Sequence, residues 1–502
     1  MLDRRNLLRA GGVLAATVAT GAAAGAPAAG APAAGRRRSQ CPDWSALRSR
    51  IQGDVVLPGD AAYDASKQLA IGEYDAVTPA GIVYGETPAD VQAVVRFAQD
   101  NSLTLRTRSG GHNFAGWSTG EGLVLDVRRM NHVTGGGSPT VHVGPGTQSI
   151  EALGVLKQYG QGMVTGTCHD VCVGGYYSGG GVGYQSRPFG IGSDRMVSAK
   201  VVLADGRLVT ASERSNPDLF WALRGSGGGN WGVLVDVELR PISVPRMVFY
   251  EQIWSWDDAE KFLDTWQQWY RTTPRNSTGQ VIVIQPDAGS GNPPIVLQQG
   301  AYYGTKEEAD AGLAELAGLV GSTPATSKVL DLPFADGMQY VYGLAEGGSH
   351  PRTLWQRMRA RIVDQPLGTA GTAAALAAFE SAPRTGQTRY LSFVGLGGAV
   401  GDKAPTDTAF VHRGALFHIG YGVALPDASP ADEDVAAAVG WATTGFNVIN
   451  PLSGGHSYIN FPDMYLDNWQ NAYYGVNYDR LKRLKRAYDP YRFFDHPRAI
   501  GN

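Results

Sequence analysis

A strand that empties directly into a glycine turn constrains this chain more than any other feature. Residues 103–108 read as a strand, and Ser109-Gly110-Gly111-His112 follows without a break. Successive backbone N–H groups in such a turn form a concave nest for a pyrophosphate. Glycine is needed there because a side chain would block the phosphate's approach. Taken alone, the same residues also fit a plain turn with an ordinary loop histidine. Two more glycine blocks lie downstream, Gly179-Gly180-Gly181-Val182-Gly183 and the run from Gly225 to Gly229. Glycine makes up 67 of 502 residues, about twice the usual ~7% share. It follows no collagen-like period, so it marks tight turns and close backbone approaches. Hydrophobic residues at 43% and charged residues at 18% exclude a disordered chain. The net charge of -3 gives no electrostatic case for nucleic acid or an anionic membrane. The length allows roughly two or three domains.

Residues 1–40 read as an address. Asp3-Arg4-Arg5-Asn6-Leu7-Leu8 precedes a weakly apolar Ala/Gly stretch, two Ala-Pro-Ala sites and Arg36-Arg37-Arg38. A paired arginine before a mild apolar stretch predicts a twin-arginine signal, and hence a secreted protein. Pro27 and Pro32 interrupt that stretch, and no other run approaches ~18 consecutive apolar residues, so no membrane span is expected.

The next region alternates helices and strands. Thr87-Pro88-Ala89-Asp90 predicts a capped helix carrying Val91, Val94, Val95 and Ala98 on one face. A strand over 201–204 turns at Asp205-Gly206 into another over 208–210. Asn216-Pro217-Asp218 predicts a cap for a short helix through Leu223, and 232–239 reads as a strand. After about residue 245 the glycine loops thin out. A helix there carries Phe262, Trp266, Trp269 and Tyr270, which read as core; another spans about 306–319. Strand-like runs cover 389–394 and 415–423, and a basic helix over 478–488 stops at Asp489-Pro490.

Gly166-Thr167-Cys168 stands ten residues before the second glycine block, with Cys172 inside the interval. Three cysteines, Cys41 included, make no disulfide framework. They leave open one disulfide (Cys168 to Cys172, or either to Cys41) or a thiol used in chemistry. Cys168, His169 and Cys172 lack a second ligand pair at zinc-site spacing.

In chain order the turn, the Gly-Thr-Cys and glycine block, Asp218 to Gly225, and Gly228-Gly229-Asn230-Trp231-Gly232-Val233 are followed by Tyr458-Ile459-Asn460-Phe461-Pro462-Asp463, Tyr473-Tyr474-Gly475-Val476-Asn477 and Tyr488-Asp489-Pro490. This combination resembles the berberine bridge enzyme-like flavoproteins of the vanillyl-alcohol oxidase superfamily, over about 77–500, and above all their exported or biosynthetic bacterial members. The resemblance implies an α+β fold with a two-part FAD-binding domain of vanillyl-alcohol oxidase (PCMH) type. It implies a substrate domain with an antiparallel sheet covered by helices. The expected division is 1–40 signal and linker, 41–245 FAD domain, 246–440 substrate domain, and 441–502 returning to the FAD domain.

The resemblance also implies FAD attached twice, through His112 to the flavin 8α-methyl and through Cys168 to C6. It places Arg108, Ser109, Gly110, Gly111, Asn113, Ser118, Thr167, Val171, Gly174, Gly175, Tyr176, Gly183, Val233, Tyr473 and Asn477 against the cofactor. Tyr458 and Asn460 become the catalytic pair, sharing one face of a strand. Four positions depart from the family. Cys172 falls where the family usually has glycine, Tyr176 stands where many relatives have histidine, Phe461 replaces the motif's second tyrosine, and Leu396 precedes Gly397-Gly398 where some relatives have a second active-site tyrosine. Tyr390 is the nearest substitute for that last one.

The activity so implied is an FAD-dependent oxidase. Tyr458 takes a hydroxyl proton, the carbon is oxidised to a carbonyl, and O2 is the acceptor with H2O2 released. The substrate is expected to be a polyketide-type secondary metabolite, as in antibiotic biosynthesis, acted on by a monomer or homodimer. Alternatives are an oligosaccharide oxidase, an enzyme that forms a C–C or C–N bond, and a flavin-free secreted binding protein. A hydrolase is a further rival; the metallohydrolase signature H-E-x-x-H is absent.

Overall fold

The computed structural model describes residues 42–349 and 351–502; the arginine pair and Cys41 lie outside the described residues. The first sheet has four strands in the order Val55–Val56, Gly81–Tyr84, Leu123–Asp126, Leu105–Arg108. Two of its three pairings place Leu105–Arg108 and Gly81–Tyr84 parallel to Leu123–Asp126, and Val55–Val56 runs antiparallel to Gly81–Tyr84. A parallel neighbour requires a crossover, and the helix Pro88–Asp100 supplies it. Thr87 caps that helix with Asp90 completing a capping box, and Val91, Val94, Val95 and Ala98 are buried as the spacing predicts.

A second sheet is antiparallel, in the order Val133–Thr134, Val141–Val143, Gly232–Leu239, Met196–Leu203, Leu208–Ser212. The expected hairpin at Asp205-Gly206 is present. Val202, Val233 and Val235 from this sheet share one core with Leu105, Leu123 and Leu125 from the first, so the two sheets pack as one body. Asn216 does not cap the helix Pro217–Leu223. It adopts a left-handed φ of 47° and its amide donates to the Thr210 carbonyl instead.

The third sheet has seven antiparallel strands, ordered Thr326–Pro333, Arg246–Trp254, Ile295–Tyr302, Ser277–Gln285, Thr388–Gly395, Phe417–Leu425, Trp355–Val363. Alternation divides each strand between two faces. Val281, Val283, Leu391, Phe393 and Phe417 join Phe262, Trp266, Trp269 and Tyr270 in a core beneath the helices. Gln280, Val394 and their same-face neighbours look the other way. The expected boundary at 440 falls inside the helix Asp432–Ile449, which packs on this sheet.

After Ile449 the chain returns to the first two sheets. Tyr458, Ile459, Leu481 and Ile500 join the core formed by Val141, Tyr177, Val201 and Leu219. Lys485, buried in the helix Tyr478–Tyr488, donates to the carbonyls of Asn230 and Phe494 and pairs with Asp489. Asn230 Oδ1 in turn accepts from the Ile500 N–H. These bonds tie the last segment to the glycine loop that precedes Gly232–Leu239. Among the described residues no helix is long and apolar enough to cross a membrane.

Candidate active site

The glycine turn opens onto a large cavity lined by the first two sheets, the face of the third, and the C-terminal segment. The backbone N–H groups of Ser109 through Asn113 donate to no partner among the described residues. That leaves a row of free donors at the end of a strand, the requirement for holding a phosphate. The row is held from behind. Arg108 turns its guanidinium into the protein, where Nε pairs with Asp126 at 2.6 Å and Nη2 donates to the Ser66 carbonyl at 2.6 Å. Only its remainder faces the cavity. Asn113 Oδ1 accepts from the N–H groups of Ala115 and Trp117, turning the chain after His112. Gly111 has a φ of 74°, which other residues rarely adopt.

Ser109, Gly110, Gly111, His112, Asn113, Ser118, Thr167, Cys168, Val171, Gly174, Gly175, Tyr176, Gly183, Val233, Tyr458 and Asn460 all line this one cavity. Tyr473 and Asn477 do not. The Tyr473 hydroxyl accepts from the Asp463 N–H, and the Asn477 amide donates to the carbonyls of Pro405, Thr408 and Ala409. Both brace the C-terminal segment from inside its core. Their motif marks the segment that carries Tyr458, not a ligand contact.

His112 Nε2 meets Asp170 Oδ2 at 3.1 Å. Burial pushes the Asp170 carboxyl up, but the His112 hydrogen bond and the charges of His112 and His169 outweigh it and hold the group at about 2. Asp170 therefore stays ionised, and its bond to Nε2 selects the neutral tautomer of His112 that has its lone pair on Nδ1. Sequence reading missed Asp170; its only signal is its place two residues after Cys168.

Cys168 and Cys172 are both free thiols, so no disulfide joins them. They are not equivalent. Cys172 is buried and its Sγ donates to the Gly146 carbonyl at 3.1 Å. Cys168 is half-buried on the cavity wall. Burial, with the Asp170 charge adding to it, pushes the Cys168 thiol up to about 12.

Tyr458 and Asn460 do not lie on a strand. Residues 459 and 460 form a turn closed by the Phe461 N–H on the Tyr458 carbonyl. The turn still unites them. Asn460 Nδ2 donates to Tyr458 Oη at 2.9 Å and to the Tyr176 carbonyl at 2.9 Å. The N–H groups of Gly181 and Val182 also donate to Tyr458 Oη, at 2.8 and 3.3 Å. Burial raises this phenol, the three donors pull it back, and burial prevails at about 12. The second glycine block thus supplies hydrogen-bond donors to Tyr458, a role its sequence did not disclose. Phe461 packs against Tyr458 with ring centroids 5.6 Å apart.

Tyr390 packs among Ile282, Ile284 and Leu297 on the third sheet, away from the lining. Leu396 is buried; its carbonyl accepts from Arg187 and its N–H donates to the Leu416 carbonyl. Gly116-Trp117-Ser118-Thr119-Gly120 has the spacing of a hydrolase nucleophile elbow. It lies on a loop, not between a strand and a helix, and Ser118 Oγ has no histidine partner.

The lining suits a dinucleotide. Ser118 Oγ and Tyr176 Oη are buried without a hydrogen-bond partner, and both residues face the cavity. A Cβ at Gly175 would meet nothing within 4 Å, and one at Gly228 only Gly175 at 3.9 Å, so these glycines leave room for a ligand.

An FAD binding domain matches residues 79–212, and a berberine and berberine-like domain matches residues 457–501. An FAD-linked oxidoreductase of Bacillus subtilis is 27% identical over 462 residues, covering 90% of this chain and 98% of that protein. The chitooligosaccharide oxidase of Gibberella zeae is 29% identical, covering 84% and 87%. The xylooligosaccharide oxidase of Thermothelomyces thermophilus is 29% identical with the same coverage. The structure of berberine bridge enzyme from Eschscholzia californica superposes with a TM-score of 0.80 at 22% identity, covering 91% of this chain and 98% of that one. Its likeness confirms the α+β architecture of an FAD domain joined to a helix-covered antiparallel sheet. Both matched domains line one cavity, and the relatives span most of the chain, so this protein is an FAD-dependent oxidoreductase that carries the FAD binding and berberine-like domains and is similar to the berberine bridge enzyme-like oxidases.

Proposed function

We propose that the enzyme oxidises a hydroxyl of a small molecule to a carbonyl, with O2 as acceptor and H2O2 released. FAD, when bound, supplies the redox chemistry. The chain supplies the proton chemistry. One observation carries this reading: three N–H donors converge on Tyr458 Oη inside the cavity. Those donors stabilise the negative charge of the Tyr458 phenolate, the form that takes the proton from a substrate hydroxyl and becomes the neutral phenol. Asn460 keeps the ring in place through its second bond, to the Tyr176 carbonyl.

His112 and Cys168 are the proposed points of covalent attachment. Asp170 leaves His112 Nδ1 with the lone pair that a new bond needs. Cys168 is on the cavity wall, whereas Cys172 is committed to Gly146. Export through Arg4-Arg5 remains part of the proposal. Two substrate classes fit, a hydroxylated secondary metabolite and an oligosaccharide. The named activities of the chitooligosaccharide and xylooligosaccharide oxidases favour the second.

The test is colour and peroxide. The purified enzyme should be yellow, keep its flavin through acid precipitation, and release peroxide with saccharides. A colourless protein, or a yellow one inert to saccharides and polyketide alcohols alike, contradicts the proposal.

A further inference from the structure

A second cavity, of about 420 Å³, lies on the helix side of the seven-stranded sheet and shares no lining residue with the first. Its floor is aromatic. Tyr250 and Tyr302 come from the sheet, and Trp269 from the helix Ala259–Thr272. Its roof is the helix Lys306–Val320, which contributes Glu308, Ala309, Ala311, Gly312 and Glu315. Small residues in that helix keep the space open. Tyr302 packs against Ala309, and a Cβ on Gly312 would already meet Trp269 Cζ2 at 3.7 Å.

The charge in this lining has one sign. Glu308 and Glu315 line the cavity, and among the described residues no lysine, arginine or histidine does. Seven residues apart, the two acids share one helix face, about 10 Å from each other along the axis. Each has one oxygen held by a neutral donor. Glu308 Oε2 accepts from the Thr305 N–H at 2.9 Å, and Glu315 Oε2 accepts from Trp269 Nε1 at 3.2 Å. Neither bond cancels the charge. Each carboxylate also has a ring beside it. Glu315 has Trp269, and a Cβ on Gly304 would touch both the Tyr302 ring and Glu308 Oε2, so those two stand together. Tyr302 is 8% exposed, and its hydroxyl has no hydrogen-bond partner among the described residues. The Tyr250 hydroxyl differs, donating to the Thr278 carbonyl at 3.0 Å. A buried hydroxyl left unpaired is costly unless a ligand completes it.

We infer that this cavity binds a linear diamine, protonated at both ends, with one ammonium at Glu308 and Tyr302 and the other at Glu315 and Trp269. Aromatic faces attract a cation through their quadrupoles. An ammonium has three donors and no acceptor, which answers both carboxylates and the unpaired phenol. The alkane chain between the nitrogens covers the aromatic floor. An anion would meet two like charges, and a neutral diol would lose the attraction at both ends. The sheet separates this cavity from the one lined by Tyr458, so the diamine is neither the oxidised substrate nor the cofactor.

The test is calorimetric titration of the flavin-loaded enzyme with 1,7-diaminoheptane, and with 1,7-heptanediol as the uncharged probe of the same length. The diamine should bind, and the flavin spectrum should not change as it does. Glu308→Gln and Glu315→Gln should each weaken the diamine about threefold, within the worth of one exposed ion pair. Together they should weaken it about tenfold, since two sites so far apart lose independently. Tyr302→Phe should cost about threefold, the usual worth of one hydrogen bond. None of the carboxylate variants should alter the binding of the diol. Glutamine keeps the acceptor that Thr305 and Trp269 use, so both variants should fold, and melting temperature checks this. Raising the salt to about 0.5 M screens the same charges and repeats the reading without any variant. No binding of the diamine, binding that the double variant and high salt leave unchanged, or a diol affinity that falls with the diamine's each overturns the site. A flavin spectrum that shifts as the diamine binds places the ligand in the other cavity and overturns it as well.

Discussion

On the wall of the cavity formed by residues 105–183, the groups that meet a ligand are backbone amides exposed by glycine. On the opposite wall, formed by the seven-stranded sheet, they are side chains at the ends of hydrogen-bonded rows. The first arrangement depends on where side chains are missing. A Cβ at Gly110 would press on Cys172 and the Asp170 carbonyl, one at Gly183 on the Thr165 carbonyl, and one at Gly179 on the Asn460 amide. The second depends on which side chain occupies each register position, as at Glu251, Gln299 and Gln280. A wall made of amides accepts a constant ligand such as a diphosphate. A wall made of side chains is free to change with the substrate.

Covalent attachment gives the largest expected contrast between neighbours on the cofactor wall. Changing His112 to Ala together with Cys168 to Ser should abolish covalent flavin, whereas Cys172→Ser should leave both links intact. Mass spectrometry of flavin peptides distinguishes them, and flavin on Cys172 would break the assignment. The two single variants should also differ. The Cys168 thiol is held at about 12, so it is a poor nucleophile until its surroundings change. His112 offers a lone pair from the outset. Cys168→Ser should therefore keep a full histidine link, while His112→Ala should link slowly and incompletely.

Adding a methyl to each wall sharpens the contrast further. Gly179→Ala should push Asn460 off Tyr458 and slow flavin reduction by about 100-fold, the lower end of what acid–base catalysis contributes, with flavin content unchanged. Gly300 lies in a strand of the opposite sheet, where a Cβ would strike the Tyr250 ring and the Thr278 carbonyl. Gly300→Ala should leave the reduction rate alone and lower stability by about 1–3 kcal/mol through overpacking. Rapid-mixing reduction and chemical denaturation read the two effects separately.

A further effect, confined to acid, concerns His418. Burial holds the His418 ring neutral and pushes it down to about 4, with neither nitrogen hydrogen-bonded. An unfolded histidine titrates near 6.5. The unfolded chain thus binds this proton first. Stability present above pH 6.5 is lost as the pH falls towards 4, by about 1.4 kcal/mol per unit for one group. His418→Leu should flatten the melting-temperature profile over that window. An unchanged slope would mean that the ring is solvated in solution.

Much of the cofactor wall was legible in the sequence because glycine requirements are local. The turn from Ser109 to His112, the block at Gly179 and the capped helix after Thr87 each declare themselves within a few residues. Their cost is fixed by backbone geometry wherever they occur. Asp170 and the donors to Tyr458 were not legible. The Gly181 and Val182 amides reach Tyr458 across 277 and 276 residues of chain, and no local pattern records a partner at that distance. Asn216 shows a local rule overridden: its αL backbone and its bond to the Thr210 carbonyl remove it from the capping geometry its sequence advertises. Tyr473 and Asn477 show a motif outliving its literal meaning. They are fixed by the core that carries Tyr458 and touch no ligand space. The wall formed by the third sheet was the least legible, since the row from Glu251 to His418 draws each residue from a different strand.

The central claim is that Tyr458, gripped by Gly181, Val182 and Asn460, handles the substrate proton. Its most direct measurement is anaerobic flavin reduction by an alcohol substrate, for wild type and Tyr458→Phe, from pH 7 to 10. With the phenol at about 12, its base form grows tenfold per pH unit across that range. The wild-type rate should therefore climb with pH. The variant should be slower by about 10²–10⁴-fold, with a flat profile and unchanged flavin content. A variant within a few-fold of wild type, or one that keeps the wild-type slope, would place the base elsewhere.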